Sequence, residues 1–159
     1  MSELFNNFST LIIFLHLLSA IIWIGGMIVI RFAVHYSMQN IEEPKIRLAR
    51  TLENLKRFFS MVIPSIIILL ITALIMILAL DFKETQLNKF IVIKELIWSL
   101  MTLIFIFIYI KRNKAQKAFD VGDFLSAKNH LIILAKYLIP INIVLGLFAV
   151  IFGIILRGY

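Results

Sequence analysis

The chain has 159 residues, of which 62% are hydrophobic and 16% are charged, and its mean hydropathy is +1.00. These values exclude an ordinary soluble domain and predict an integral membrane protein. The net charge of +7 does not indicate a nucleic-acid partner, because the basic residues are concentrated in two segments between apolar runs. The absence of cysteine excludes disulfides, iron–sulfur clusters and thiolate metal sites.

Four apolar runs are each long enough to cross about 30 Å of hydrocarbon. They predict spans at residues 9–30, 58–80, 90–110 and 131–156 of a single transmembrane domain that occupies residues 1–159. The expected fold class is all-α, an integral membrane four-helix bundle. The first run is longer than a typical signal-peptide core and no Lys or Arg precedes it, so we expect it to remain as a spanning helix.

The basic residues cluster in the connections 31–57 and 111–130. Lys and Arg accumulate in loops that stay in the cytoplasm, so both connections are expected there. Both termini are then expected on the outer, periplasmic side of a bacterial inner membrane. The lipid bilayer is the first predicted partner.

The first connection contains a predicted helix start. Pro44 follows two glutamates, and proline suits the first helical position. Apolar residues recur on one face after it, at Ile46, Leu48, Leu52 and Leu55. We therefore expect the second span to extend into the cytoplasm as an amphipathic helix whose apolar face docks on lipid headgroups.

The second connection is predicted to contain a turn, in which Gly122 ends one helix and Asp123 caps the next. Pro64 and Pro140 lie inside the second and fourth runs, where each removes a backbone hydrogen bond and can kink its helix. A kink of this kind opens a pocket in some bundles and serves only packing in others.

Three ionisable residues lie inside the apolar runs. His16 stands alone in the first run, and Lys94 and Glu95 are adjacent near the start of the third. A charge near the middle of a bilayer costs roughly 2.5 kcal/mol or more unless it is paired, hydrated or ligated. At 1.5 Å per residue, His16 lies about 10 Å below the outer end of its run, and the pair reaches a depth within about one turn of it. The three residues are therefore predicted to share one site in the outer half of the membrane.

Helical spacing predicts which side chains face the bundle. Four residues of the first run, all on one stripe, are expected to do so: His16, Ser19, Trp23 and Gly26. Lys94 shares a face with Trp98, whereas Glu95 is rotated by about 100° from Lys94. Lys94 and Glu95 therefore cannot point at His16 equally well.

Each polar residue also has a purely structural interpretation. His16 can be hydrogen-bonded to a neighbouring helix, Lys94 can snorkel to the headgroups, and Glu95 can be no more than the partner of Lys94. His35 and His130 lie at the cytoplasmic ends of the first and fourth spans, where they are interpreted as interfacial residues.

Three segments carry a resemblance to a known superfamily: LHLLSAIIWIGGMIVIRF, FIVIKELIWSLMTLIFIFIYIKRNKA and LIPINIVLGLFAVIFGIIL. Over nearly its whole length the chain resembles the superfamily that contains the copper-resistance D (CopD) domain and the HemJ-type protoporphyrinogen oxidases. His16 matches the first-helix histidine of the HemJ-type branch, Lys94 its third-helix lysine, and Arg31 the arginine that closes its first helix. This branch implies a haem b membrane protein that oxidises protoporphyrinogen IX to protoporphyrin IX.

The copper-resistance D branch resembles the chain at other positions, Trp23-Ile24-Gly25-Gly26 and Lys111-Arg112-Asn113. That branch implies copper handling in the inner membrane. Soft copper sites use Cys, Met or His, and four methionines of this chain are scattered in depth rather than stacked near His16: Met27, Met61, Met76 and Met101.

In the first hypothesis, the chain is a small haem b redox protein with His16 as the axial ligand. Lys94 is the distal ligand or a charge partner and forms a catalytic pair with Glu95. The other assigned residues hold the cofactor: Trp23, Trp98 and Arg31 in the pocket, and Lys83, Lys89 and Arg157 as partners of the propionates. Ligation by both His16 and His130 is not expected, because much of the membrane thickness separates them.

Two further hypotheses stay open. In the second, the chain is a copper-handling permease in which His16 and nearby methionines form a transient Cu(I) site. In the third, it is a structural membrane subunit without a cofactor, and its polar residues bind only neighbouring helices. The small residues of the first span allow a homodimer, and a redox role requires an electron-transfer partner that the sequence does not identify.

Overall fold

The computed structural model describes residues 2–80 and 88–157. Within these ranges the chain forms four long helices and no strand. They are α1 (Glu3–Gln39), α2 (Pro44–Leu80), α3 (Asn88–Asp120) and α4 (Phe124–Leu156). Each is long and apolar enough to cross a membrane. The prediction of an all-α, multi-pass membrane protein is confirmed.

The four helices form two antiparallel hairpins. α1 packs along α2, and α3 packs along α4. The two short turns of these hairpins lie at the same end of the molecule, where the Lys45 ammonium is 6.0 Å from the centre of the Phe124 ring. We call this end the turn end, and the opposite end, where α1 begins and α4 finishes, the termini end.

The turn between α3 and α4 is formed by Gly122 and Asp123, as predicted. Gly122 has a φ of 83°, a left-handed conformation that costs glycine little and ends α3. The carboxylate of Asp123 accepts a hydrogen bond of 2.9 Å from the backbone N–H of Ser126 and caps α4. Both sequence assignments are confirmed.

α2 continues beyond the apolar layer. Its 37 residues span about 55 Å, well over the roughly 30 Å of hydrocarbon in a bilayer. Pro44 begins the helix, as predicted. The apolar face of this extension packs inside the bundle, where Leu48, Leu52 and Leu55 are buried. Ile46, at the start of the same face, is 45% exposed, so docking on lipid headgroups is contradicted for the three leucines and stays a prediction for Ile46.

α3 presents a regular seam to the bundle. Its inward residues recur at alternating spacings of three and four, as in coiled-coil packing. Lys94 and Trp98 are half-buried members of this seam, and the others are buried: Ile91, Met101, Phe105, Ile108, Arg112 and Ala115. Lys94 therefore occupies a position that a bundle normally fills with an apolar side chain.

The two hairpins meet closely near the middle of the bundle. The rings of Trp23 and Phe105 are 6.1 Å apart and nearly perpendicular, and those of Phe59 and Phe105 are 5.4 Å apart. A Cβ at Gly146 would lie 2.8 Å from Cγ1 of Ile24, so only glycine lets α4 approach α1 here. This aromatic layer separates the polar residues of the termini end from those of the turn end.

Within residues 2–80 and 88–157, three segments of the long helices are π-helical, each with one extra residue in a turn. Two are in α1, Ile21–Gly25 and Ile30–Val34, and one is in α4, Leu134–Leu138. The α4 segment ends just before Pro140, one of the two prolines predicted to disturb a helix, and the buried stripe moves there by five residues, from Leu134 to Ile139. Pro64 lies inside the continuous helix α2.

Candidate functional site

His16 is hydrogen-bonded to α2. Its Nδ1 lies 2.9 Å from the hydroxyl oxygen of Thr72, which in turn lies 2.8 Å from the backbone carbonyl of Ile68. The hydroxyl also lies 3.1 Å from the backbone carbonyl of Leu69, and when it donates its one proton to either carbonyl, the imidazole donates its Nδ1–H to Thr72. We assign this tautomer from the network. In this tautomer Nε2 carries the lone pair and has no side-chain hydrogen-bond partner among the described residues, while the backbone carbonyl of Leu69 lies within hydrogen-bonding reach of the ring.

This arrangement is typical of a histidine prepared for ligation. Histidines that bind metals use one ring nitrogen for the metal and donate the other N–H to a neighbouring group, which sets the tautomer and the ring orientation. Thr72 is itself 4% exposed, so its position is well determined by packing. A purely structural role for His16, a hydrogen bond to a neighbouring helix, explains the contact of Nδ1 with Thr72. It assigns no role to Nε2.

Lys94 lies in the same half of the bundle as His16. Its Nζ would be 3.4 Å from a Cβ added at Gly153, so the amine rests against the backbone of α4. At 1.5 Å per residue, Gly153 is about 5 Å from the end of α4, and Lys94 is about 9 Å from the start of α3. The side chain thus rises toward the termini end, as a snorkelling lysine does, but ends inside the bundle. It is close enough to His16 for the two side chains to interact electrostatically.

Glu95 does not join this pair. Its side chain is exposed, on a face of α3 about 100° away from Lys94. Within residues 2–80 and 88–157 the ion pairs are both on α2, and none joins Glu95 to Lys94. The structure therefore brings Lys94 toward His16 and leaves the predicted catalytic pair of Lys94 and Glu95 unassembled.

The two tryptophans differ in their surroundings. Trp23 is 1% exposed and packs edge-on against Phe105, so it is part of the filled core rather than the wall of a pocket. Trp98 is half-buried and lies one turn below Lys94 on the same seam. The indole N–H of each is buried without a hydrogen-bond partner in the described part of the chain. Buried polar groups normally have such a partner.

Arg31 belongs to a different group. It lies about 22 Å along α1 from His16, at the turn end, and therefore cannot contact a ligand held by His16. Its guanidinium lies 5.7 Å from the ring centre of Phe32 and 5.8 Å from that of Tyr36. Because of this separation, the prediction that Arg31 and His16 hold the same cofactor is wrong.

The remaining assigned residues are not gathered around His16. Lys83 lies outside the described residues, as does the side chain of Arg157, and Lys89 is exposed. Met27 and Met101 are packed in the core, while Met61 is exposed. No cluster of three or more His, Cys, Asp or Glu residues suited to a metal is present in residues 2–80 and 88–157.

Thr72 is the residue of this site that sequence reasoning missed. It is one of the few polar residues in the second apolar run, about 12 Å from the end of α2 at the termini end of the bundle. That depth is close to the depth predicted for His16, so a comparison of polar residues by depth would have identified it.

No family model, curated protein or solved structure matches the chain.

Proposed function

We propose that this chain is a small haem b-binding membrane protein with a redox role, and that His16 is the axial ligand. The observation that carries the proposal is the hydrogen bond from Nδ1 of His16 to Thr72, which leaves Nε2 free. The sequence resemblance to HemJ-type proteins supports the same ligand. A role like that of a protoporphyrinogen oxidase is part of this proposal.

The donors present fit such a cofactor. A bound haem b would supply one-electron redox chemistry. Thr72 holds the imidazole of His16 in the tautomer that exposes Nε2, and relays the hydrogen bond to a backbone carbonyl that stays in place. Lys94 would supply either a lone pair or a positive charge, and Trp98 an apolar side chain with one buried N–H. Neither Glu95 nor Arg31 has a part in this site.

The proposal includes an orientation. The turn end carries most of the basic residues, so it faces the cytoplasm and both termini face the outside of a bacterial inner membrane. His16 and Lys94 then lie in the outer half of the bilayer. An electron-transfer partner would reach them from that side, and a homodimer through the exposed apolar faces is compatible with this placement.

The test is a reduced-minus-oxidised absorption spectrum of the purified full-length protein, with metal analysis of the same sample. The protein should be produced with haem and copper available. We expect a b-type band that is lost in His16→Ala. The matched control is His130→Ala, which removes a histidine at the turn end and should leave the band unchanged.

The other hypotheses predict different outcomes of this measurement. A band that persists in His16→Ala would overturn the ligand assignment. Stoichiometric copper without a haem band would replace the proposal with the copper-handling hypothesis. Neither haem nor copper would favour a structural subunit, in which His16 serves only to join α1 to α2.

A further inference from the structure

A second polar site lies at the turn end, far from His16. A small, partly open cavity of about 40 Å³ lies between α1, α2 and α4. Its polar lining consists of Arg31 and His35 from α1 and Thr51 and Asn54 from α2. Apolar residues of α4 close the far side.

Two of the three π-helical segments border this cavity. Ile30–Val34 of α1 contributes Arg31, and Leu134–Leu138 of α4 contributes Leu134 and Ala135. A π-helical turn inserts one residue into a helix, widens it locally and is frequent at functional sites. The two distortions lie on opposite walls of the cavity.

Arg31 has no counter-ion here. Its Nη1 is buried and has no hydrogen-bond partner among the described residues. The rings of Phe32 and Tyr36 order the guanidinium without neutralising it. None of the residues that line the cavity is acidic. A guanidinium stays protonated in proteins, so its buried N–H donors require an acceptor, and an anion is the best one.

The level of the cavity in the bundle favours one class of anion. Arg31 directly follows the apolar run 9–30 and Leu55 lies about 5 Å beyond the run 58–80, while the α4 residues of the lining lie inside the run 131–156, so the cavity reaches the end of the apolar layer. The headgroup layer begins at the end of the hydrocarbon and is about 5–7 Å thick on each side of a bilayer. The commonest anion at this depth is phosphate, for which a guanidinium provides a matching fork of donors.

We propose that this cavity binds a phosphate group, with Arg31 as its anchor and Asn54 and Thr51 beside it. The phosphate comes either from a phospholipid headgroup or from a soluble phosphate compound. Both leaflets contain phospholipid, so the proposal does not depend on the orientation of the protein. It is also independent of the haem proposal, and His16→Ala should leave phosphate binding unchanged.

The test uses full-length protein in detergent, stripped of co-purified lipid, with binding followed by native mass spectrometry. The probes are dioleoyl phosphatidylglycerol, dioleoylglycerol, which has the same chains and no phosphate, and inorganic phosphate. We expect phosphatidylglycerol to bind at least about tenfold more tightly than dioleoylglycerol, and Arg31→Gln to remove most of this difference. The matched control is Arg57→Gln, which removes an exposed arginine of α2 near the same level.

Asn54→Leu keeps the test decisive if Arg31→Gln does not fold. It fills the cavity with an apolar side chain, retains Arg31, and should weaken binding of phosphatidylglycerol by a similar factor. Competition by millimolar inorganic phosphate would identify a soluble phosphate as the occupant, and its absence would identify the lipid. Equal binding of the two lipids, or wild-type binding by both variants, would overturn the proposal.

Discussion

Arg112 of α3 donates a hydrogen bond of 3.0 Å to the backbone carbonyl of Leu52 on α2. The same guanidinium nitrogen lies 3.0 Å from the side-chain oxygen of Gln116, one turn further along α3. Arg112 thus occupies a core position at the turn end and fastens one hairpin to the other. Its sequence context, a basic connection, suggested only a residue that sets the membrane topology.

Arg112→Ala should destabilise the protein by about 2 kcal/mol, because it removes a charged hydrogen bond between the hairpins and the packing of a long side chain. The measurement is the unfolding transition of the protein in detergent. Lys114→Ala removes an exposed positive charge two positions later on α3 and should leave the transition within about 0.5 kcal/mol of wild type. Equal effects of the two substitutions would contradict the assigned role.

Thr72→Val should weaken haem binding by about 10–100-fold if His16 is the ligand, because the ring loses the acceptor that orients it. Loss of this hydrogen bond also makes the imidazole less basic, so the reduction potential of the bound haem should rise. Thr72→Ser keeps the hydroxyl and should restore both properties. Thr102→Val, which removes a hydroxyl bonded only to a carbonyl of α3, is the control. A potential that does not differ between Thr72→Val and Thr102→Val would argue against the network.

If the chain binds haem as proposed, Lys94 and Glu95 should differ sharply in their effect on the haem spectrum. Lys94→Met removes a positive charge and a lone pair from the inside of the bundle, and should shift the absorption band or the reduction potential. Glu95→Gln changes an exposed carboxylate and should leave both unchanged. A larger effect of Glu95→Gln than of Lys94→Met would show that Glu95, rather than Lys94, faces the cofactor.

Two adjacent glycines of α1 provide a test of packing. A Cβ at Gly26 would lie 2.6 Å from Cε2 of the buried Phe58 ring, whereas a Cβ at Gly25 would have no heavy atom within 4 Å. Gly26→Ala should destabilise the protein by about 1–3 kcal/mol, because Phe58 has little room to move. Gly25→Ala should be neutral or stabilising by up to about 1 kcal/mol, since alanine favours a helix. The measurement is the thermal unfolding of both variants. A Gly26→Ala variant that is more stable than Gly25→Ala would show that Gly26 faces lipid.

His35 should titrate below the usual histidine range. It lies beyond the apolar run 9–30, and partial burial together with the nearby charge of Arg31 lowers the pKa of its imidazole below 6.5. As the pH falls below 6.5, the unfolded chain takes up a proton before the folded chain does, so the stability contributed by neutral His35 is lost on acidification. NMR titration should give a midpoint below 6.5 that rises in Arg31→Gln. An unchanged midpoint in that variant would show that Arg31 does not face His35.

The sequence by itself determined the architecture. Four apolar runs of sufficient length define four helices, because hydrocarbon leaves no other way to satisfy the backbone hydrogen bonds. Local chemistry determined the start of α2 at Pro44 and the turn at Gly122 and Asp123, since these depend on neighbouring residues only. Helical periodicity also placed His16, Ser19 and Trp23 on the stripe that faces the bundle.

Only the tertiary structure decided which polar residues meet. Counting residues from the helix ends predicted that Lys94 and Glu95 lie at the same depth as His16. Neighbouring residues of a helix are rotated by about 100°, and the structure turns Lys94 inward and Glu95 outward. The partner of His16, Thr72, lies on another helix, and pairing across helices depends on how the hairpins dock. The π-helical segments that border the Arg31 cavity have no local sequence signal, because an inserted residue in a turn is stabilised by packing against other helices. Local patterns therefore defined the helices, and contacts between them defined both sites.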